Sequence, residues 1–404
     1  MTTRTTPRSS RRLALCSVAL LAACGDAPGV VPRADAGGVP DALQAAPEIG
    51  LWFRDACRPG DRIVVAAVGD VLLHEALQRQ AYAEGHATLW SQVASILARA
   101  GVAYANLEGP TAPGIDRDWN LVADPGPVFD DVVYTDFPRF NYHASVIPAL
   151  MAAGFDVVST GNNHALDRGP LGVERTLTAL ENAGMACSGT RRRDARGVWY
   201  ALTERGGFRL AWLSCTFSTN DPDAEQQTLS CDEDETEVVA IVRELAARDD
   251  IDAVLVVPHG GDEYSHVPAA RQRRLAGLVL DAGALAVLGN HPHVVQPWEK
   301  RVTPDGRETF VLYSIGNFVS AQEELPRRAS LIVQLVLVRG SDGKTTIAGV
   351  RYVPTIMQVN PYSIWPTDRS TDPDAPAAAA LVAEILDERN VMASGATSVD
   401  LGCR

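Results

Sequence analysis

Short, continuous apolar runs alternate with amphipathic stretches along most of the chain. From residue 62 the run Ile63-Val64-Val65-Ala66-Ala67-Val68 ends in Gly69-Asp70, with the length and β-branched content of a buried strand. An amphipathic stretch over residues 89–99 reads as a helix and leads into the strand Ala103-Tyr104-Ala105-Asn106-Leu107-Glu108. The same syntax returns as a helix over 147–153, the strand Phe155-Asp156-Val157-Val158-Ser159 and a helix over 172–183. It returns again as Ala253-Val254-Leu255-Val256-Val257, a helix over 269–282 and Ala286-Val287-Leu288. Strands apolar throughout are covered on both faces, as in parallel βαβ units. Residues 198–217 and 309–351 are β-rich, with Gly turns such as Gly206-Gly207 within the first and Asp305-Gly306 just before the second, so antiparallel hairpins forming a second sheet are expected there. The pattern predicts an α/β protein of two packed sheets with helices outside. Residues 368–380 read as a loop and 381–390 as a short terminal helix, and no internal repeat is visible.

The amino-terminal segment carries a different signal. Residues 1–23 hold Arg4, Arg8, Arg11 and Arg12, no acid, and an apolar run over 13–21. This is the layout of a secretory signal peptide, and the run is too short to span a bilayer. Its end, Leu21-Ala22-Ala23-Cys24, resembles a bacterial lipobox, which implies cleavage before Cys24 and lipidation of its sulfur. Residues 24–58 begin rich in Ala, Gly, Pro and Asp and are expected to form a flexible tether. The expected organisation is a signal at 1–23, a tether at 24–58, a main domain at 59–358 and a carboxyl-terminal extension at 359–404. The protein would then sit in the bacterial envelope, held to a membrane by its lipid anchor.

Charge narrows the partners. With 36 Lys+Arg against 50 Asp+Glu the net charge is −14, and loss of the signal arginines makes the mature chain more acidic still. Sequence-independent binding of nucleic acid, which depends on Lys and Arg neutralising phosphates, is therefore not expected. A local cationic or metal-lined pocket for an anion remains compatible with that charge. Of seven cysteines, five lie beyond Cys24, in a compartment where disulfides persist. Cys215 with Cys231, across a loop rich in Asp, Glu, Ser and Thr, and Cys57 with Cys403, joining the chain ends, are the expected pairs. Spacing alone does not fix that connectivity, and Cys187 would remain a free thiol.

Candidate chemistry follows the strands. In open α/β sheets ligands gather at the carboxyl ends of strands, and here the strands end in Asp70, in Asn106 with Glu108, in Asn162-Asn163-His164, in His259 and in Asn290-His291-Pro292-His293. Carboxylate, amide oxygen and imidazole together suit hard to borderline divalent ions such as Mn²⁺, Zn²⁺ or Fe²⁺. Considered singly, Asp70 reads equally well as a helix cap, and His259 as a hydrogen-bonded structural residue. His291 and His293 are alternate residues of one extended segment and can reach a common ion cluster.

Six ordered motifs resemble a known family. Gly69-Asp70-Val71-Leu72-Leu73-His74, Asn106-Leu107-Glu108-Gly109 and Asn162-Asn163-His164-Ala165-Leu166-Asp167-Arg168-Gly169 are the first three. His259-Gly260-Gly261-Asp262-Glu263-Tyr264, His291-Pro292-His293-Val294-Val295-Gln296 and Tyr313-Ser314-Ile315-Gly316-Asn317-Phe318 complete the set. Together they are similar to the motifs of the bacterial capsule synthesis protein CapA family, which is associated with poly-γ-glutamate production. The resemblance implies a calcineurin-like metallophosphoesterase fold, a four-layer α/β/β/α sandwich. It implies one or two divalent ions on Asp70, Glu108, Asn163, His259, His291 and His293, with His164 as the acid and Asp167 orienting it. Arg168, Glu263, Tyr264 and Asn317 are the expected substrate contacts, and Gln296 is expected to support His293. Three positions depart from the pattern: Leu72 replaces a histidine, with His74 two residues on, Glu108 replaces a bridging aspartate, and Asn290 stands where a further histidine is usual.

Two functional readings follow. One is a metal-dependent hydrolase or transferase acting on an anionic envelope polymer or a phosphoester. The other is a non-catalytic accessory that binds or guides a nascent anionic polymer at the cell surface, alongside membrane polymer-synthesis partners.

Overall fold

A computed structural model describes residues 50–193 and 197–403. The signal peptide at 1–23, the lipidation site Cys24 and the tether up to residue 49 lie outside the described residues. The chain opens with β1 (Asp61–Val71), α1 (Glu75–Glu84), α2 (Ala87–Leu97), β2 (Val102–Leu107), α3 (Val146–Ala152), β3 (Val157–Ser159), α4 (Gly169–Ala183) and β4 (Ala186–Ser188). There follow β5 (Tyr200–Arg205), β6 (Phe208–Leu213), α5 (Glu235–Ala246), β7 (Ala253–Val256), α6 (Ala270–Ala282), β8 (Ala286–Leu288), β9 (Trp298–Val302) and β10 (Glu308–Leu312). The last elements are β11 (Asn317–Val319), α7 (Leu325–Arg328), β12 (Ala329–Arg339), β13 (Thr345–Gln358), β14 (Ser363–Pro366) and α8 (Ala375–Leu386).

The strands form two sheets, ordered β14-β13-β12-β1-β2-β3-β4, with β11 also pairing β1, and β5-β6-β7-β8-β10-β9. Their facing sides close over one core that includes Val65, Ala67, Tyr104, Trp212, Leu255 and Leu288. A second core lies under α1, α2 and α3 on the outer face of the first sheet, and a third under α5 and α6 outside the second. Helix, sheet, sheet, helix is the four-layer sandwich expected from the sequence. α2 illustrates the cause: Leu89, Trp90, Val93, Ile96 and Leu97 recur at helical spacing and all are buried. α4 starts on Gly169-Pro170, where proline's fixed φ suits a first turn, and stops at Gly184 in the left-handed region.

Several expectations need correction. The hairpin segments do not make a separate sheet. β5 and β6 edge the second sheet, whose β6, β7, β8 and β10 are parallel, while β12 and β13 join the first sheet by antiparallel pairing of β12 with β1. The βαβ succession builds β2, β3 and β4 on one side of β1 and leaves its other edge open, and β12 covers that edge. Residues 375–380, read as loop, begin α8: alanine is the best helix former, and Pro376 sits in the first turn, where no intrahelical N–H is needed. The folded unit also exceeds residues 59–358. Phe53 is fully buried in the inter-sheet core, and Leu51 donates its N–H to Asn390 Oδ1 at 2.6 Å, so the tether ends before residue 50. β14 pairs with β13 and α8 packs into the same core, which makes residues 359–403 part of the domain rather than an appendage. Disulfides join Cys57 to Cys403 and Cys215 to Cys231, and Cys187 is free.

Candidate metal centre

Parallel strands bring their carboxyl ends to one edge of both sheets. Register aligns Asp70 with Asn106, Asn106 with Ser159, and Asp70 with Asn317 on its other side. His259 and Asn290 leave the ends of β7 and β8 as bridge partners. Gly69 permits the closest approach: a Cβ there would lie 1.6 Å from the carbonyl oxygen of Gly316, the same oxygen that accepts the Asp70 N–H at 3.1 Å. Backbone strain gathers at the site, since Tyr264, His291 and His293 have φ of 65°, 101° and 59°, values that cost energy in residues other than glycine.

The polar groups fall into two overlapping clusters, Asp70 with Glu108 and His293, and Glu108 with His259 and His291, each with ligand atoms within 4.8 Å of one another. Glu108 belongs to both. Its Oε1 lies 3.5 Å from His259 Nε2 and 3.9 Å from His293 Nε2. His293 Nδ1 is 3.2 Å from Asp70 Oδ2, and His291 Nδ1 is 3.1 Å from His259 Nε2. Asn163 Oδ1 reaches His259 Nε2 at 2.8 Å. All six proposed ligands therefore come together.

Electrostatics fit a cation. Glu108 has no exposed surface, and neither of its carboxylate oxygens has a hydrogen-bond partner among the described residues. A buried carboxylate without donors is costly unless a positive charge compensates it. Burial alone would raise its pKa, but the His293 and His259 imidazoles hold it well below the usual carboxylate range. Burial likewise opposes charge on His293, and is outweighed by Glu108 and Asp70, which raise that imidazole to about 9. A proton on His293 thus sits between two carboxylates, where a metal ion would otherwise supply the charge. His291 is pushed the other way, to about 2, first by burial and then by the neighbouring His259. Orphaned carboxylate oxygens and convergent imidazole nitrogens are the donor set a divalent ion takes.

His164 and Asp167 form the adjoining pair. Nδ1 of His164 is 2.7 Å from Asp167 Oδ2, which also accepts the Phe140 N–H at 2.6 Å. Donation through Nδ1 leaves Nε2 as the free nitrogen of the ring. Burial lowers the His164 pKa, but the Asp167 carboxylate more than compensates and the net shift is upward. Asp167 is itself raised, chiefly by burial.

Other nominated residues take different places. Arg168 is fully buried and does not line the cleft. Its guanidinium donates to the carbonyls of Ile115, Val133 and Asp167 and to Thr135 Oγ1, holding down the long loop after β2. Asn317 is buried too: its Oδ1 lies 3.0 Å from His293 Nδ1 and its Nδ2 donates to the His293 carbonyl at 3.3 Å, so it orients a ligand instead of forming the rim. Gln296 does not touch His293, because its amide is engaged by Gln272 and the Ser265 carbonyl. His74 faces the Leu72 carbonyl and the Ala321 N–H, and belongs to neither ligand cluster. Glu263 and Tyr264 are exposed, with the Tyr264 ring 6.1 Å from that of His293, as rim residues should be.

Groups outside the six proposed ligands support them through hydrogen bonds that form only in the folded chain. Asn106 Nδ2 donates to Asp70 Oδ1 at 2.7 Å, and its Oδ1 accepts from Ser159 Oγ at 2.7 Å. The chain continues through Ser159 and the Tyr104 hydroxyl, 2.8 Å apart, to Asn290 Nδ2, 2.9 Å from that hydroxyl. Asn290 therefore turns its amide nitrogen into the core. Asn220, inside the Cys215–Cys231 loop, places Nδ2 3.3 Å from His164 Nδ1 and donates its N–H to the Asn163 carbonyl. Asn106 was signalled by its strand-end position, Ser159 ends a strand without having been singled out, and no local pattern marks Asn220.

Comparison with known proteins agrees with the motif resemblance. Residues 64–322 match the family described as bacterial capsule synthesis protein PGA_cap. The capsule biosynthesis protein CapA of Bacillus anthracis is 25% identical over 292 residues, 69% of this chain and 64% of that protein. The PGA biosynthesis protein CapA of Bacillus subtilis (strain 168) is 31% identical over 208 residues, 50% of this chain and 53% of its own length. The matches thus span less than two thirds of these relatives. Among solved structures, Haemophilus influenzae NAD nucleotidase aligns over 84% of this chain and 65% of its own, with 10% identity and a TM-score of 0.43.

Proposed function

Because the chain belongs to the bacterial capsule synthesis protein PGA_cap family, we propose that it serves the assembly of a capsule or poly-γ-glutamate-type polymer through a metal-dependent hydrolase or transferase centre. The observation that carries this reading is Glu108, a buried carboxylate shared by two ligand clusters and satisfied by no hydrogen bond among the described residues. Asp70, Glu108 and His293 would hold one divalent ion, and Glu108, His259 and His291, with Asn163 beside them, a second. Mn²⁺, Zn²⁺ and Fe²⁺ all suit these donors. When bound, such ions polarise a phosphoryl or acyl oxygen and lower the pKa of a water.

The chain's own groups do the rest. Asn317 and Asp70 fix His293 through Nδ1, leaving Nε2 toward Glu108. Asp167 holds His164 by Nδ1, so that Nε2 can deliver a proton to a departing oxygen or nitrogen. The Phe140 ring packs T-shaped against the His164 ring, centroids 4.8 Å apart, and both are buried. In this reading the protein is exported, anchored through Cys24 in the cell envelope and positioned beside membrane polymer-synthesis partners. Among the described residues no helix is long and apolar enough to cross a membrane.

A second reading, polymer binding without turnover, draws support from Leu72 and Asn290. The first is apolar and buried, the second has its amide nitrogen on Tyr104, and both stand where the family resemblance leads one to expect histidine. Metal content and turnover separate the two, measured on the form lacking residues 1–24 beside a His291→Ala/His293→Ala variant. Bound ions and turnover lost together in the variant support the hydrolase or transferase. Bound ions with no turnover on any phosphoester or γ-glutamyl substrate support the accessory, and a chain that takes up no ion defeats the metal reading.

A further inference from the structure

With Arg168 buried, a side-chain cation that meets an anionic ligand at the centre has to come from another residue. The arginines around it differ in what their N–H groups do. Arg139 grips Asp221 with two nitrogens and the Arg117 carbonyl with a third. Arg328 is engaged by the Met357 carbonyl, Asp372 and Asp374, and Arg271 by the Gly261 carbonyl. Arg327 has one ionic contact, Nη2 at 3.1 Å from Glu324 Oε2, on a carboxylate whose side chain is 70% exposed. Its Nε is buried with no hydrogen-bond partner among the described residues. A guanidinium has five N–H donors in a planar fork and exposed ion pairs of this kind are weak, so Arg327 and Arg271 both have donors to offer; Arg271 lies over Phe217, whereas Arg327 lies over Tyr264, the ring that packs on His293.

Its position is set by the same residues that set the metal ligands. Asn317, which holds His293 Nδ1, also donates to the Arg327 carbonyl at 3.0 Å. The guanidinium carbon lies 3.8 Å above the Tyr264 ring, and Tyr264 in turn packs against His293 and donates its N–H to the Pro292 carbonyl at 2.8 Å. Stacking on an aromatic face fixes the plane of the fork before a ligand arrives. Arg327 retains 23% side-chain exposure and Tyr264 43%, so both are reached from solvent.

We propose that Arg327, stacked on Tyr264 at the lip of the metal centre, grips the oxyanion of the ligand, a phosphate or a carboxylate, by a forked pair of charge-assisted hydrogen bonds. The assignment rests on the metal-centre reading above. Inorganic phosphate and glutarate are the probes, titrated calorimetrically into the metal-loaded full chain, with metal content measured on the same samples. Arg327→Ala should weaken the better-bound probe by about tenfold or more at unchanged metal content. Arg327→Lys should recover only part, since an ammonium lacks the fork. Arg301→Ala, which removes an equal charge from a distant pair with Asp281, should stay within about twofold of wild type. Which probe responds tells a phosphate site from a carboxylate site. Wild-type affinity for both probes in Arg327→Ala, or no binding of either by the wild type up to ~10 mM, overturns the assignment. Absence of bound metal would show in the metal assay alone. The Arg327 comparison would then be decided by the same titrations on metal-free protein. If Arg327→Ala does not fold, Arg327→Gln carries the same test.

Discussion

Replacing Glu108 by alanine should abolish binding of both ions, because its carboxylate is the one member common to the two ligand clusters. Asp70→Ala should remove only the ion shared with His293, and His291→Ala only the one shared with His259. The size of the effect follows from linkage. An ion present at a hundred times its Kd stabilises the folded state by about 2.7 kcal/mol. The folded unit Pro47–Arg404 unfolds with an entropy of about 2.1 cal/mol/K per residue, roughly 0.75 kcal/mol/K in all. Each ion therefore raises the melting temperature by about 3.6 °C, and two raise it by about 7 °C. Scanning calorimetry across a Mn²⁺ or Zn²⁺ titration, with metal counted per chain, reads this directly. The expected order is the full shift in wild type, half in Asp70→Ala and His291→Ala, and none in Glu108→Ala. A Glu108→Ala protein that keeps half the shift or more refutes the shared-ligand argument, whatever happens to turnover.

Three further outcomes follow from the geometry. Arg168→Ala removes a buried guanidinium from the carbonyls and hydroxyl it holds, and should cost about 3–5 kcal/mol and open the loop after β2 to protease; lysine, without the planar fork, should not restore it. His86 is buried, and burial with the nearby His143 charge lowers its pKa from 6.5 to about 4. Between those values the unfolded chain takes up a proton that the folded chain does not, so stability falls as pH drops from 6.5 to 4, by about 3 kcal/mol in all; denaturant melts should show that slope flattened in His86→Gln. The Cys57–Cys403 bridge closes a loop with a sequence separation of 346 and Cys215–Cys231 one of 16. Removing the first by paired Ser substitution should cost about 6 kcal/mol and the second about 3, an order that chemical denaturation of the two variants checks.

Much of this molecule was legible in its sequence. Buried parallel strands announce themselves as unbroken apolar runs, and the residue following such a run has nowhere to go but the sheet edge. That locality is why Asp70, Glu108, Asn163, His259, His291 and His293 could be nominated together and are found together. The Asp167–His164 pair is likewise a short-range contact within one turn. Strand pairing was less accessible, because an apolar β segment carries no mark of which edge it will cover. Thus β12 and β13 went to the first sheet instead of building a second.

Side-chain direction in the loops was not legible at all. Within the third motif, Arg168 is nominated from sequence to receive an anionic group. Folding buries it away from the cleft. The loop after β2 wraps over Arg168 and turns Val133, Thr135 and Ile115 onto its guanidinium, while α7 lays Arg327 on Tyr264 beside His293. Asn317 and Asn220 were likewise given their roles by partners distant along the chain, His293 and His164. The sequence by itself determined the ligand chemistry and the sheets that present it, since both depend on contacts local to each strand. The tertiary structure alone decided which loop side chains stand beside the centre and which are buried away from it, because long-range packing and not local spacing sets where a loop side chain points.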